Sequence, residues 1–281
     1  MTRTWFITGA NRGLGRAFTL AALGRGDRVV ATVRDVTSMA DLDQDRLTVL
    51  PLDVRDREQA IATVNAAFEA VGSIDVIVNN AGYGLVGAVE ELTEQQIRDQ
   101  IDTNFYGALW VTQAALPHLR KQESGHIVQI STVGAVGSLP LFSMYNASKW
   151  ALEGFSASLA DELRPFGIKV TLAQMGGFDT DWAGSSMKFA SGSPAYSDTR
   201  TAILGMSEYP DPLNPPPVTE ADSEWATPSP EVGAAELLDL VDMPNPPLRK
   251  VIGPGARDMV RMALDQRRLD YLTDPEFVWP A

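Results

Sequence analysis

Short apolar, β-branched runs alternate along the chain with longer stretches whose apolar residues recur at helical spacing. The runs are TWFIT (4–8), RVVATV (28–33), LTVLPLDV (47–54), VIVNNA (76–81), GHIVQIST (125–132), IKVTLAQM (168–175) and RKVIG (249–253), and they predict seven strands. Several are apolar almost throughout rather than at alternate positions, the pattern of strands covered on both faces of a parallel sheet. Between them, amphipathic stretches such as REQAIATVNAAFEAVG (57–72) supply right-handed crossover helices. The prediction is a doubly wound, mostly parallel α/β sheet that takes its ligand at the carboxyl ends of its strands.

Residues 176–230 interrupt this alternation and show no clear strand before a helix opens near Glu231. The second half, SEYPDPLNPPPVTEADSEWATPSP, is rich in proline and acid, and proline fixes φ and removes donors. A long irregular stretch at a strand end that faces the ligand predicts a lid, with a mobile surface loop as the alternative. The whole chain, 1–281, then reads as one domain with residues 176–230 inserted as a substrate loop.

Composition narrows the function. With 281 residues, 44% of them hydrophobic, the chain can bury a full core. A formal charge of -13 argues against nucleic acid or an anionic membrane as partner. The chain has no cysteine, and its two histidines, His118 and His126, lack metal-ligand spacing, so both read as structural and no metal is expected. The most apolar window, 107–119, is too short to span a bilayer and carries Gln113 and Pro117, so it reads as a buried helix. The N-terminus lacks a leader pattern, which predicts a cytoplasmic location.

Tyr145 and Lys149 lie four residues apart, one turn along one helix face, with the hydroxyl of Thr132 thirteen positions upstream. A cation beside a phenol in a partly dry site makes it more acidic. Lowering a pKa near ~10 by about three units requires roughly 4 kcal/mol of preferential stabilisation of the phenolate. TGANRGLG (8–15) follows the first strand and opens a helix. Gly9, Gly13 and Gly15 let the backbone turn sharply and approach a pyrophosphate, which the helix N-terminus attracts; Asn11, Arg12 and Leu14 belong to the same turn.

These segments, with Asp53-Val54, NNAG (79–82), Asn104, IST (130–132) and YNASK (145–149), resemble the short-chain dehydrogenase/reductase family from residue 4 to about 181. The resemblance implies a single Rossmann-type domain of seven parallel strands. It also implies a homodimer or homotetramer, paired through helices 104–120 and 145–164, that interconverts alcohols and ketones with a nicotinamide cofactor. It makes Tyr145 the general acid/base. Lys149 would lower its pKa and bind the nicotinamide ribose, and Asn104 would hold a water linking Lys149 to solvent.

Thr132 stands where the family usually has serine, and its extra methyl narrows the pocket. Ser131 is the weaker candidate, because successive strand residues point to opposite faces. Asp53 and Val54 match adenine contacts, and Asn80, Ala81 and Gly82 line the cofactor; Asn79 and Asn80 serve equally well as ties between strands. Past the sixth strand the family's Pro-Gly reads Met175-Gly176, with Thr180 kept. Losing that proline should loosen the turn.

Charge bears on the cofactor. Enzymes that prefer NAD carry an acid at the end of the second strand, where this chain has Val33 followed by Arg34. With Arg12, Arg34 forms a clamp for a 2′-phosphate and favours NADP, whereas nearby Asp35 and the possibility of solvated arginines weigh against it. Phe142, Leu139, Met144, Phe178 and Trp182 suggest an apolar substrate wall, and Asp179 and Asp181 should face solvent. The reading is an NADP-dependent oxidoreductase acting on a carbonyl or secondary alcohol of an apolar small molecule. The rivals are a non-catalytic NADP-binding regulator and an epimerase or dehydratase on the same fold.

Overall fold

The computed structural model describes residues 2–42, 45–180, 187–210 and 228–280. In chain order the first half carries β1 (Thr4–Thr8), α1 (Gly13–Gly24), β2 (Arg28–Val33), β3 (Leu47–Pro51), α2 (Arg57–Val71), β4 (Val76–Asn79), β5 (Gly84–Val86), α3 (Glu94–Ile101) and α4 (Gly107–Gln122). There follow β6 (Gly125–Thr132), α5 (Ser143–Leu163), β7 (Ile168–Met175), β8 (Met187–Phe189), α6 (Ser197–Leu204), α7 (Pro230–Asp242), β9 (Arg249–Ile252) and α8 (Ala256–Leu272).

Seven strands form one parallel sheet in the order β3-β2-β1-β4-β6-β7-β9. The order reverses at β1, so the crevice between β1 and β4 opens at their carboxyl ends. Alternate strand residues feed two cores, one on each face. Trp5, Ile7, Val29, Val128 and Ala173 pack with α1 and α7, while Phe6, Val30, Ile77, Ile127 and Val170 pack with α2, α4 and α5. Near-continuous apolarity in the strands is therefore two-sided burial.

The strands end slightly earlier than the apolar runs, for local reasons. β3 stops at Pro51, and by Asp53 the chain has turned, with the Arg55 N–H donating to the Asp53 carboxylate at 3.0 Å. β4 stops at Asn79, because the Asn80 N–H is drawn to the Thr8 hydroxyl at 3.0 Å. β9 stops before Gly253, whose φ of +106° suits glycine alone.

Residues 176–230, expected to lack strands, contain β8 and α6. β8 pairs in parallel with β5, Gly84 opposite Met187 and Val86 opposite Phe189, in a second, two-stranded sheet. An ion pair between Glu91 and Arg200, 2.7 Å apart with side chains 1% and 4% exposed, fastens this segment to the chain beyond β5. Glu91 also accepts the Ser193 and Ala88 N–H groups and the Tyr209 hydroxyl. Residues 205–230 of the expected lid lie largely outside the described residues, which stop at 210 and resume at 228.

Between α3 and α4, residues Asp102–Tyr106 form a π-helical turn in which the Gly107 N–H reaches back five residues to the Asp102 carbonyl. Such a widened turn holds one more residue than an α turn. Both histidines are structural. His118 stacks on Phe68 with centroids 4.3 Å apart, and His126 is buried with Nε2 2.9 Å from the Thr171 hydroxyl. Among the described residues no helix is long and apolar enough to cross a membrane, and no cluster of side chains could hold a metal ion.

Candidate active site

A cavity of about 770 Å³ opens at the carboxyl ends of the strands. Its lining brings together the glycine turn (Gly9, Asn11, Arg12, Gly13, Leu14, Gly15), the charged end at Arg34, Asp53 and Val54, the segment Asn80, Ala81 and Gly82, and Thr132, Tyr145, Lys149, Gly176 and Thr180. Residues at the carboxyl ends of six of the seven strands thus converge on one groove, as the switch-point rule requires.

Close approach explains the glycines. A Cβ on Gly15 would stand 2.2 Å from the Gly9 carbonyl oxygen, and Gly9 itself has φ +64° with the Ala81 backbone 3.0 Å from a Cβ position. No side chain caps the N-terminus of α1, so its leading N–H groups face the groove. Thr8 organises the opposite rim: its hydroxyl accepts the N–H groups of Asn80 and Ala81, both at 3.0 Å. Asn80 returns its amide to the Thr8 carbonyl at 2.9 Å, and Asn79 bonds the Thr112 hydroxyl at 2.9 Å. Both asparagines tie elements together, and Asn80 lines the groove as well.

At the other end, α5 carries Tyr145 and Lys149 on its buried face. Thr132 hydrogen-bonds the Tyr145 phenol and accepts the Gly134 N–H at 3.2 Å. Ser131 points away, donating at 2.8 Å to buried Glu153, which also holds Gln174 and Arg249. The expected lowering of the Tyr145 pKa by Lys149 is not what this arrangement produces. Burial pushes the phenol up to about 12, with the Thr132 hydrogen bond pulling the other way. Burial likewise pushes Lys149 down to about 8, and its ammonium donates to the Ile130 carbonyl at 2.7 Å. Both groups resist charge here because both are dry, an effect that helical spacing does not carry.

Asn104 sits in the π turn behind the groove and does not line it. Its amide is a bracket: Oδ1 accepts the Tyr83 N–H at 3.1 Å, and Nδ2 donates to the Tyr83 carbonyl at 3.0 Å and the Ser148 hydroxyl at 3.2 Å. A Cβ on Gly82 would lie 3.1 Å from that Oδ1 and 3.7 Å from Lys149 Nζ, so Gly82 separates the two groups. Both amide protons are thus committed to protein.

At the charged end, Asp53 is held below its usual range, first by hydrogen bonds from Arg55 and in smaller part by the Arg34 charge. Asp35 lines the groove, yet its carboxylate caps a short helix by accepting the Thr37 N–H at 2.9 Å and hydroxyl at 2.7 Å. Arg34, exposed, lines this end with Arg12.

The expected substrate wall needs correction. Phe178 lines the cavity, but Leu139 is exposed, Phe142 is packed edge-on to Tyr145 near the cluster around β5 and β8, and Met144 is absent from the lining. Trp182 and Asp181 lie outside the described residues, and Asp179 is exposed as expected. The turn after β7 makes several contacts. The Gly176 N–H donates to the Ile252 carbonyl at 2.9 Å, Met175 is buried in the core, and Phe178 packs on Gly233 and Gly253. Sequence reasoning missed Tyr83, Arg55, Asp99 and Lys188, all of which line the cavity. Tyr83 directly follows the NNAG segment, which was the one available signal.

The family model described as short chain dehydrogenase matches residues 3–190. The chain is similar to oxidoreductase BOA17 of Botryotinia fuckeliana, 39% identical over 260 residues that cover 91% of this chain and 90% of that protein. It is 33% identical over 252 residues to a 3-ketodihydrosphingosine reductase of Bacteroides thetaiotaomicron, covering 88% and 87% of the two chains. Among solved structures, a short-chain dehydrogenase from Streptomyces avermitilis superposes with a TM-score of 0.84 at 34% identity, covering 97% of this chain and 95% of that one.

Proposed function

Since this chain belongs to the short-chain dehydrogenase/reductase family of oxidoreductases, we propose that it interconverts a carbonyl and a secondary alcohol on an apolar small molecule, using NADP. One observation carries the reading: the Thr132 hydroxyl bonded to the Tyr145 phenol, with buried Lys149 one turn away, in the same groove as the glycine turn. The residues present fit a dinucleotide. Gly9 and Gly15 leave a cradle that side chains would fill, and the uncapped N-terminus of α1 suits a diphosphate.

When bound, the nicotinamide supplies hydride exchange at the substrate carbon. Gly9 to Gly15 would hold the diphosphate, Asp53, Val54 and Asn80 to Gly82 the adenosine half, and Lys149, Gly176 and Thr180 the nicotinamide half. Arg12 and Arg34 favour a 2′-phosphate over the opposing charge of Asp35, whose carboxylate is turned to Thr37. Thr132 and Tyr145 would hydrogen-bond the substrate oxygen, and Tyr145 would hold or move the proton at that oxygen. A dry phenol with a raised pKa is a poor proton donor, so a hydrogen-bonded substrate oxygen and a charged Lys149 beside the phenol belong to the working state.

Val133, Met175 and Phe178 supply apolar lining to the groove that holds Tyr145, and one relative is named a 3-ketodihydrosphingosine reductase. The segment from 176 to 230 would act as the lid, and pairing through α4 and α5 would give a homodimer or homotetramer in the cytoplasm. Tyr145→Phe tests the reading. Turnover of ketones, followed by NADPH absorbance, should fall by at least about a hundredfold while NADP binding stays within about twofold. Near-normal turnover by that variant sinks the assignment.

A further inference from the structure

β8 brings one cation into the groove that the glycine turn, the arginines and Tyr145 do not account for. Lys188 is exposed in the cavity lining, its ammonium 4.7 Å from the centroid of the Tyr83 ring. Among the described residues no carboxylate pairs with it, whereas the neighbouring Arg55 is spent on Asp53 at 2.6 Å. Both ends of the contact are held. β8 is fixed by its pairing with β5, by the Ala190 N–H donated to the Val86 carbonyl at 2.9 Å and by the Glu91–Arg200 ion pair. Tyr83 is fixed through its backbone by Asn104 and Gln100, and its hydroxyl is buried without a partner, so the ring is a rigid seat for the ammonium.

A dinucleotide running from Arg12 and Arg34 to Tyr145 would share its groove with the glycine turn, Gly82, Tyr83 and Lys188, all of which line it. Its diphosphate, the most strongly charged part of the bridge, lies midway. Resting on the cofactor reading above, we propose that Lys188 binds this diphosphate from the side opposite α1, so that the strand of the substrate loop also closes the cofactor site. Ammonium and phosphate form a charge-assisted bond, strong where water is scarce.

The test compares direct binding of NADP⁺ and of 2′-AMP, which keeps the adenine and 2′-phosphate but lacks the diphosphate, in the full chain. Lys188→Ala should weaken NADP⁺ binding roughly tenfold to a hundredfold, leave 2′-AMP binding and the melting temperature unchanged, and lose the effect in high salt. Lys188→Arg should restore most of the affinity. An unchanged NADP⁺ affinity in Lys188→Ala, or an equal loss for 2′-AMP, overturns the inference alone. Failure of the wild type to bind any nicotinamide dinucleotide overturns it together with the proposed function.

Discussion

Ser131 and Thr132 leave β6 in opposite directions, Ser131 toward Glu153 and Thr132 toward Tyr145. Their substitutions should therefore separate stability from catalysis. Thr132→Ala should lower kcat/KM by about tenfold to a thousandfold with little change in unfolding, and Thr132→Ser should recover most of it. Ser131→Ala should keep activity within about threefold but cost about 1–3 kcal/mol in urea unfolding, because Glu153 loses a buried donor. Steady-state kinetics beside equilibrium melts decides, and an activity loss confined to the Ser131 variant would reverse the roles. This divergence was readable in advance, since strand periodicity is two. The protonation balance was not: four-residue spacing places Lys149 near Tyr145, whereas their pKa directions follow from burial and from the Ile130 carbonyl that takes the ammonium.

At the level of elements, the sheet was legible because its strands are long, apolar and sequential, so that β1, β2, β6 and β7 span the same residues as their runs. The β5–β8 pair was not. Each strand has three residues, too few for a period, and the partners stand about a hundred positions apart in the chain. What holds them is the Glu91–Arg200 node. Burial alone would raise the Glu91 carboxyl, yet hydrogen bonds from Tyr209, Ser193 and Ala88 and the Arg200 charge keep it below its usual range. Glu91→Gln leaves Arg200 charged and buried, a change that costs about 3–5 kcal/mol when one partner of a buried pair is removed. Hydrogen exchange should then quicken in residues 187–204 while β1, β4 and β6 keep their protection. Uniform loss of protection would mean that the node supports the whole fold instead.

The whole molecule carries a pH dependence centred on His126. Burial first, then the Lys169 and Arg3 charges, pushes its pKa down to about 3. An unfolded histidine titrates near ~6.5, so the folded chain binds fewer protons in between. His126 therefore contributes stability that is complete above about pH 6.5 and declines as the pH falls toward about 3. From pH 7 to 5 this loss is about 2 kcal/mol. His126→Gln should flatten the decline in urea midpoints over that range, and an unaltered slope would remove His126 as its source. At this scale the π turn of Asp102–Tyr106 also takes on meaning. An α-helix advances about 100° per residue, so one supernumerary residue offsets the phase of α3 against α4. Remove any one residue of the five and the two helices could merge into one regular rod, with everything upstream of the cut swung round by that angle. The aim of Asn104 at Tyr83 is thus fixed by how many residues the turn holds, a property of length that no substitution scan would detect.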